Sequence, residues 1–574
     1  MRWVLPDSSS EAQEAVLQVQ NQLKLHPIVA RVLVQRGYRS LEAVGTFLDD
    51  SLGKLPDPFL MKGLPAAVER LVRAIEKQER VVLYGDYDVD GVSSTALLTS
   101  FLRDVGLEVK TYIPHRLAEG YGLNKAAIEK LAAEGMQLLV TLDCGITSHA
   151  EIEVANALGV NVIVVDHHAV PEVMPPAVAV LNPLQPGCDY PTKWLCAGGV
   201  TFNLCMGLRK LLREKGAFET RKEPNLRQFL DLVALATVAD VVPLVGANRI
   251  LVTHGLQELT LARRPGVKAL KTVAGLLDEQ VTAGHVGFRL GPRINAAGRL
   301  DDASVGLRLL LSRDVAEATP LAMQLDEANQ ERQQIERAML ESALQQAQDA
   351  VNRGARGLVL HADNWHPGVV GIVASRVVER FHRPTVLIGI HDGVGRGSAR
   401  SIEGFHLYDA IKQCSELLER FGGHKAAAGV TVAVDKLEAF RQKFEAICME
   451  KLKPEDLVGR CKVDAKVGVG ELDATTVKAL QKLQPFGMGN AEPTLALERQ
   501  AATPRVLQNK TPGEPGHLKL TLDAAPALDV IGFRLADKAP LIERPVDLAF
   551  TVAEDEFRGV KRVALKLKDI RSTG

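Results

Sequence analysis

The chain has 574 residues, 46% hydrophobic and 24% charged; at roughly 100–200 residues per domain this predicts about three or four cored domains and excludes disorder, a collagen-like repeat or a coiled-coil rod. Lys and Arg total 69 against 70 Asp and Glu, a formal net charge of −1, which excludes a globally basic nucleic-acid binder but not a local basic groove. No stretch reaches the ~18 uninterrupted apolar residues of a membrane span, the first residues carry no secretory h-region, and seven scattered Cys include no Cys-x-x-Cys pair, so the expectation is a soluble cytoplasmic protein with reduced thiols.

Residues 1–50 carry helical periodicity, with an amphipathic stretch from Glu11 to Leu25, and read as an N-terminal helical cap. From Val81, short apolar runs alternate with helices: strands at Val81–Tyr84, Glu108–Ile113, Leu138–Leu142 and Val162–Val165, helices at Val92–Arg103, Asn124–Ala133 and His149–Leu158. This alternation predicts βαβ units on a parallel sheet, in a domain spanning 51–313. Residues 314–354 read as one long polar-faced helix. A solvated connector between domains fits it, and a dimerising coiled coil is the alternative. A second α/β domain occupies 355–456, with strands at Gly357–His361 and Thr385–Ile390 around a helix Val369–Phe381. From 457 to 574 the strands are short, among them Leu518–Leu522, Val546–Val552 and Arg562–Leu567, and a turn-rich segment Thr511–Gly516 separates two of them. Such a pattern suits a small Greek-key barrel. The expected fold class is multidomain α/β with a C-terminal β-barrel.

Chemistry is concentrated in Gly85-Asp86-Tyr87-Asp88-Val89-Asp90-Gly91, directly after the first strand. Alternate Asp residues in an extended loop point their carboxylates to one side. Such anions repel one another unless a cation neutralises them, so a hard divalent metal is the natural reading. A Ca²⁺ loop of the EF-hand kind is the alternative; counting from Asp86, however, its twelfth position is Leu97 and not Glu, and a strand precedes it. Further candidates stand at equivalent places: Asp143 after Leu138–Leu142, Asp166-His167-His168 after Val162–Val165, and Asp240 after the apolar run Leu230–Val238. Ligands of open parallel sheets bind at the carboxyl ends of strands, so these residues are expected to converge on one crevice. Any one of them alone also reads as a helix N-cap. A mixed carboxylate and imidazole set prefers Mn²⁺ or Mg²⁺, and two such ions about 3.5–4 Å apart activate water for phosphoester hydrolysis. No G-x-x-x-x-G-K-[ST] or H-E-x-x-H sequence is present, so nothing supports a P-loop ATPase or a zincin.

These residues resemble the DHH phosphoesterase superfamily, whose name is the triplet Asp166-His167-His168. Its first motif matches Gly85–Gly91, its second Asp143 and its fourth Asp240. Within the superfamily, residues 50 to 574 are similar to the bacterial single-strand-specific 5′→3′ DNA exonucleases. Pro114-His115-Arg116, Gly291-Pro-Arg-Ile-Asn-Ala-Ala-Gly-Arg299, Trp365-His366-Pro367-Gly368-Val369-Val370-Gly371, Gly395-Arg-Gly-Ser-Ala-Arg-Ser401, Gly422-Gly423-His424-Lys425 and Pro485-Phe-Gly-Met-Gly-Asn490 carry that similarity. The resemblance implies a DHHA1 module at 355–456 and an OB-fold domain at 457–574. It implies metal ligands at Asp88, Asp90, Asp143, His167 and Asp240, with Asp86 a ligand or a carboxylate behind one. Asp90, Asp143 and His168 would be catalytic, His168 facing the scissile phosphate, and Asp166 would orient His167. Arg116, Ser398 and Arg400 would grip the 5′-terminal phosphate. Two Mn²⁺ or Mg²⁺ ions, a role in DNA repair and recombination, partnership with a single-strand-binding protein and a recombination helicase, and a monomeric chain complete the expectation.

A nuclease of net charge −1 must concentrate its cations. Between Gly284 and Leu300 stand Arg289, Arg293 and Arg299 with no acid, and Gly291 and Gly298 beside them are expected to let a phosphate approach the backbone. In the second domain Arg376, Arg396 and Arg400 lie near Ser398, His424 and Lys425, and Arg forks suit phosphate oxygens. Each Arg alone also reads as a surface or salt-bridge residue. In the barrel, Phe486, Phe533, Phe550 and Phe557 are the aromatics, at least two of them core, so contacts through Lys519, Arg534, Arg558 and Lys561 to the DNA backbone are expected. The rival enzyme is a phosphodiesterase for short nucleotides, against which the barrel argues. A more distant one is a manganese pyrophosphatase. A catalytically dead scaffold would have lost the acidic ligands, all of which are present.

Overall fold

The computed structural model describes the chain apart from residues 116–118, 121, 301, 510–514, 558, 559 and 574, and apart from the side chains of 556–561. Arg116, Arg558 and most of the Thr511–Gly516 turn therefore lie outside the described residues, as do the side chains of Phe557 and Lys561. Two compact units divide the chain: Asp7–Asn329 with Glu471–Pro493, and Met1–Pro6 with Gln330–Gly470 and Thr494–Gly574.

The first unit is built on a five-stranded sheet in the order Lys110–Tyr112, Val81–Gly85, Leu138–Leu142, Asn161–Val165, Ala179–Leu181. Every neighbouring pair is parallel. Val81–Gly85 and Leu138–Leu142 are buried throughout, which is why they read as unbroken apolar runs and not as alternating ones. The register pairs Gly85 with Leu142, Leu142 with Val165 and Val165 with Leu181. One residue further on, the amides of Asp86, Asp143 and Asp166 still donate to Leu142, Val165 and Leu181. Three acidic residues thus leave the sheet level with one another.

Two local readings change. The Asp-rich motif is not one extended loop: Asp88 Oδ1 accepts from the amides of Asp90 (2.9 Å) and Gly91 (3.1 Å), so Asp88 is an N-cap and the helix begins at Val89. A strand end, a cap and a first helical turn carry the three carboxylates. The apolar run before Asp240 is the buried helix Leu230–Ala239, packed beside Val89–Asp104.

The helix Val315–Asn352 spans the division between the units. Ala318, Leu321, Ala322 and Leu325 belong to the core of the first unit. Met339, Ala343, Ala347 and Ala350 pack in the second against Leu358, Val370, Val373 and Val377. It is therefore no bare solvated rod, and its apolar stripe is already covered.

In the second unit a mixed five-stranded sheet runs Arg420–Gly423, Ala427–Ala433, Val394–Arg400, Thr385–His391, Leu358–Asp363, with only the last pair parallel. A seven-stranded sheet occupies the C-terminal part, with Val546–Phe557 and Val560–Ser572 paired antiparallel at its centre. Two segments depart from the domain division read in the sequence. Arg2–Val4 pairs with Arg460–Lys462, so the first residues belong to the second unit. Glu471–Pro493, including the helix Ala474–Gln481, belongs to the first.

Candidate active site

At the carboxyl end of the parallel sheet, His167 Nε2 lies 3.2 Å from Asp143 Oδ1, 3.5 Å from Asp240 Oδ2 and 3.7 Å from Asp90 Oδ2. Three groupings have ligand atoms mutually within 4.8 Å: Asp86, Asp88 and Asp143; Asp90, His167 and Asp240; and Asp143, His167 and His168. All six residues expected as ligands are therefore brought together, with His168 beside them. Asp143 holds a left-handed backbone (φ 67°), a conformation that Asp tolerates better than most residues. Sequence reasoning missed the start of the helix Ala197–Glu214, whose Ala197 and Gly198 amides each donate to Asp90 at 2.7 Å. The Cys196-Ala-Gly-Gly199 segment is the available signal, small residues opening a helix where an anion can sit.

Packing acids into a buried crevice raises the cost of their charge. Burial first, then the charge of Asp88, pushes Asp90 up to about 7. Burial, with Asp90 and Asp88, pushes Asp240 up to about 9. Burial and the same neighbours hold Asp143 well above the usual carboxylate range. His167 is pulled down to about 4 by burial and by His168, which leaves a neutral imidazole fit to ligate. His167 Nε2 and Asp240 Oδ2 are buried and have no hydrogen-bond partner in the described structure. Two facing lone-pair carriers left in that state, within an oxygen-rich donor set, fit a hard divalent cation of the Mn²⁺ or Mg²⁺ class.

Asp166 does not orient the His167 ring as expected. Its Oδ1 accepts from His168 Nδ1 at 2.8 Å and from the amides of His167 (2.7 Å) and His168 (3.0 Å), and Oδ2 accepts from Ile146 N at 3.0 Å. Position in the turn decides this: residues two apart meet side chain to side chain, and the nearer one only through its amide. Burial lowers His168, yet the Asp166 bond and charge outweigh it, helped by Asp240 and Asp90, and lift it to about 9. Asp166→Asn, which removes the carboxylate that orients His168 and keeps it protonated, is expected to cost about 10²- to 10⁴-fold in cleavage. A Mn²⁺ titration of cleavage rate checks it.

The basic residues divide. Arg293 is held by Asp326 Oδ1 (2.8 Å) and the Arg289 carbonyl, and Arg289 by the Ala274 carbonyl. Arg299 stands in the last turn of Gly291–Leu300. The glycines of that motif face protein instead of open space: a β-carbon at Gly298 would lie 2.7 Å from the Tyr87 carbonyl, and one at Gly291 3.1 Å from the Val286 carbonyl. Asn295 accepts from Val89 N at 3.1 Å. This segment buttresses the Asp motif, a correction to its reading as a phosphate approach.

In the second unit Arg376 pairs with Glu336 (3.4 Å) and Glu379 (3.3 Å), and Arg396 is exposed. Arg400 Nη1 donates to Ser398 Oγ at 2.8 Å. A β-carbon at Gly371 would lie 2.9 Å from Arg400 Nη2 and 3.0 Å from Ser398 Oγ, so the missing side chain shapes a small cradle. His424 is exposed at the turn before Ala427, which pairs with Arg400. In the barrel, Lys519 pairs with Asp529 (2.7 Å), Arg534 follows exposed Phe533, and Phe550 is core. Phe486 belongs to the first unit. All seven Cys are free and buried.

The loop after Asp240 is fastened from a distance. Leu244 N donates to the Met488 carbonyl at 2.8 Å, and Arg249 Nη2 donates to the carbonyls of Lys482 (3.1 Å) and Gln484 (2.8 Å). β-Carbons at Gly487 and Gly489 would lie 2.7 Å from Leu244 and 2.9 Å from Pro243.

Comparison with known proteins identifies the family. The DHH family, N-terminal domain, matches residues 80–237, the DHHA1 domain 354–450 and the RecJ OB domain 463–569. The single-stranded-DNA-specific exonuclease RecJ of Dickeya dadantii is 41% identical over 95% of this chain and 96% of its own. The crystal structure of RecJ with Mn²⁺ from Thermus thermophilus superposes at TM-score 0.84 with 32% identity, covering 100% of this chain and 80% of that one. The Mg²⁺ complex from the same organism gives 0.79 at 31% identity, covering 100% and 79%. With that identity carried along almost the whole length, and with all three domains matched in order, the chain belongs to the RecJ family.

Proposed function

We propose that the chain is a metal-dependent exonuclease that enters single-stranded DNA at its 5′ end and releases 5′-mononucleotides, in DNA repair and recombination. Family membership makes it a hydrolase of phosphodiester bonds, and relatives named for single-stranded DNA hold Mn²⁺ or Mg²⁺. The observation that carries the reading is the meeting of the buried His167 Nε2 with carboxylates from three separate segments.

Asp86, Asp88 and Asp143 would hold one cation, and Asp90, His167 and Asp240 a second, Asp143 and His167 lying where the groupings adjoin. Bound there, such ions supply Lewis-acid charge and an activated water. The backbone amides of Ala197 and Gly198 fix both oxygens of Asp90 before any cation arrives. His168, kept protonated through Asp166, would hydrogen-bond the phosphate from Nε2 and give that proton to the leaving 3′ oxygen as the P–O3′ bond breaks, the proton lost by the attacking water restoring the imidazolium. In the second unit, Ser398 and Arg400 beside Gly371 suit a terminal phosphate. Arg116, Arg293, Arg299, Arg376, Arg396 and His424 stay proposed contacts to the strand. Among the described residues no helix is long and apolar enough to cross a membrane. A cytoplasmic location, a monomeric chain, and partnership with a single-strand-binding protein and a recombination helicase belong to this proposal on the family resemblance alone.

A long single strand labelled separately at its two ends, incubated with Mn²⁺, tests the reading. Early mononucleotide from the 5′ label is the expected result. Slow attack on the strand with fast cleavage of a dinucleotide would replace it with a short-substrate phosphodiesterase. Metal binding has its own readout: at 100 times its Kd, Mn²⁺ is expected to stabilise the fold by about 2.7 kcal/mol for each site filled, reversed by chelation, in melting curves.

A further inference from the structure

Aromatic residues make up only 5% of the chain. Among the described residues, the exposed ones are Trp194, Phe288 and Phe533. Two of these three flank Asp240. The carbonyls of Trp194 and Pro243 share one donor, Asn248 Nδ2, at 2.6 and 3.0 Å, which ties Trp194 to the loop that follows Asp240. Phe288 occupies the π-helical turn Val286–Leu290, which runs along the end of the helix leading to Asp240. On either side of Phe288, a β-carbon at Gly287 would lie 3.9 Å from Val238, and one at Gly291 3.4 Å from Ala239.

Neither ring does structural work that the fold displays: Phe288 is 81% exposed and Trp194 57%. The backbone around them is unusual as well. A π-turn is rare and recurs at functional sites. Val241, next after Asp240, is exposed with φ 60°, a left-handed conformation that a β-branched residue adopts only when its surroundings enforce it. Two exposed rings are thus carried on segments that pack against, or are tied to, the chain on either side of Asp240, a residue of the strongly anionic crevice. A phosphate backbone gains little from such rings, and a nucleobase gains a stacking partner.

We propose that Phe288 and Trp194 stack on unpaired bases of the strand as it enters the metal site, an inference that rests on the nuclease reading above. Selectivity for single strands then has a chemical component: a duplex buries its base faces, and an unpaired strand presents them. Both residues are positioning groups for the strand and take no part in bond breaking.

The test compares a 5′-phosphorylated oligodeoxynucleotide with one whose first few nucleotides are abasic (tetrahydrofuran) analogues. For the unaltered protein, removing the bases is expected to raise KM about tenfold, within the range that one or two base stacks supply, with kcat changed less than about twofold as uniform binding requires. Phe288→Ala and Trp194→Ala should each raise KM for the normal strand and shrink the abasic penalty, the signature of a shared interaction. Phe288→Tyr should restore both. The Mn²⁺-dependent rise in melting temperature should match the unaltered protein in all three variants, which separates lost stacking from a damaged metal site. Equal KM for the normal and abasic strands, or a full abasic penalty retained in both alanine variants, overturns the proposal and leaves the nuclease reading standing. Failure of the unaltered protein to degrade either strand removes that reading and the proposal together.

Discussion

Asp143→Asn is expected to lower cleavage by about 10³-fold or more, as loss of a carboxylate shared by two metal groupings demands, and to make the metal-free protein more stable. The two effects share one cause. Asp143 is buried against Asp90, Asp88, Asp86 and Asp240, all of which raise the cost of its charge after burial itself. Asparagine keeps the size and tolerates the left-handed backbone at that position, so only the charge is removed. The sign follows from linkage: a carboxyl raised in the folded state binds its proton more tightly there than in the unfolded chain. Folded stability is therefore lost as pH rises from the ordinary carboxylate range through the folded values. Asp90 and Asp240, at about 7 and about 9, set that window for the metal-free protein. The advantage of Asp143→Asn should grow across it. Melting curves in chelator from pH 6 to 9 measure this; an Asn variant less stable than the parent at the alkaline end would show that the carboxylates do not repel as described. With Mn²⁺ present the order should invert, because the parent gains binding energy that the variant lacks.

Gly91→Ala should be nearly as damaging to activity without touching a ligand. A β-carbon there would stand 2.5 Å from the Asp86 carbonyl oxygen and 2.6 Å from its amide nitrogen. Both are backbone atoms just past the end of the strand Val81–Gly85, so no flexible tip can yield. Either the strand end or the first helical turn must move, and Asp86 parts from Asp88 and Asp90. We expect about 1–3 kcal/mol of destabilisation from overpacking and a loss of cleavage of about 10²-fold, the scale on which misplacement by about an ångström acts. Gly45→Ala is the control: it lies within the helix Leu41–Leu48 with nothing within 4 Å of the added carbon. That substitution should raise stability by up to about 1 kcal/mol, the helix-propensity difference, and leave cleavage unchanged. Circular dichroism melts beside initial rates separate the two glycines.

Much of this was legible because it is local. Val81–Gly85, Leu138–Leu142 and Asn161–Val165 announce a parallel sheet by composition, and an Asp directly after each run marks the strand end. The capping role of Asp88 was concealed by alternation: Asp-Tyr-Asp-Val-Asp looks extended until one knows that Asp88 holds the next two amides. The partner of Asp166 and the amides behind Asp90 depend on how separate turns meet, which no periodicity encodes. Gly291 and Gly298 show the same limit. Their smallness was correctly taken as a sign of close approach, but the approaching group is the chain itself, at Val286 and Tyr87. The long helix was found by its uninterrupted pattern, while the burial of Ala343 and Ala347 had to come from neighbours far along the sequence.

The fastening of the Asp240 loop by the segment around Met488 sets a schedule for the newborn protein. Asp86, Asp143, His167 and Asp240 all leave the ribosome well before the glycines that close on Pro243 and Leu244. At about 5–20 residues per second, the interval between residues 240 and 490 lasts roughly 10–50 s. Through that time the nascent chain carries every acidic ligand but lacks the strap that steadies the last of them. A nuclease assembled in this order reaches its working form only after the segment around Met488 has been made.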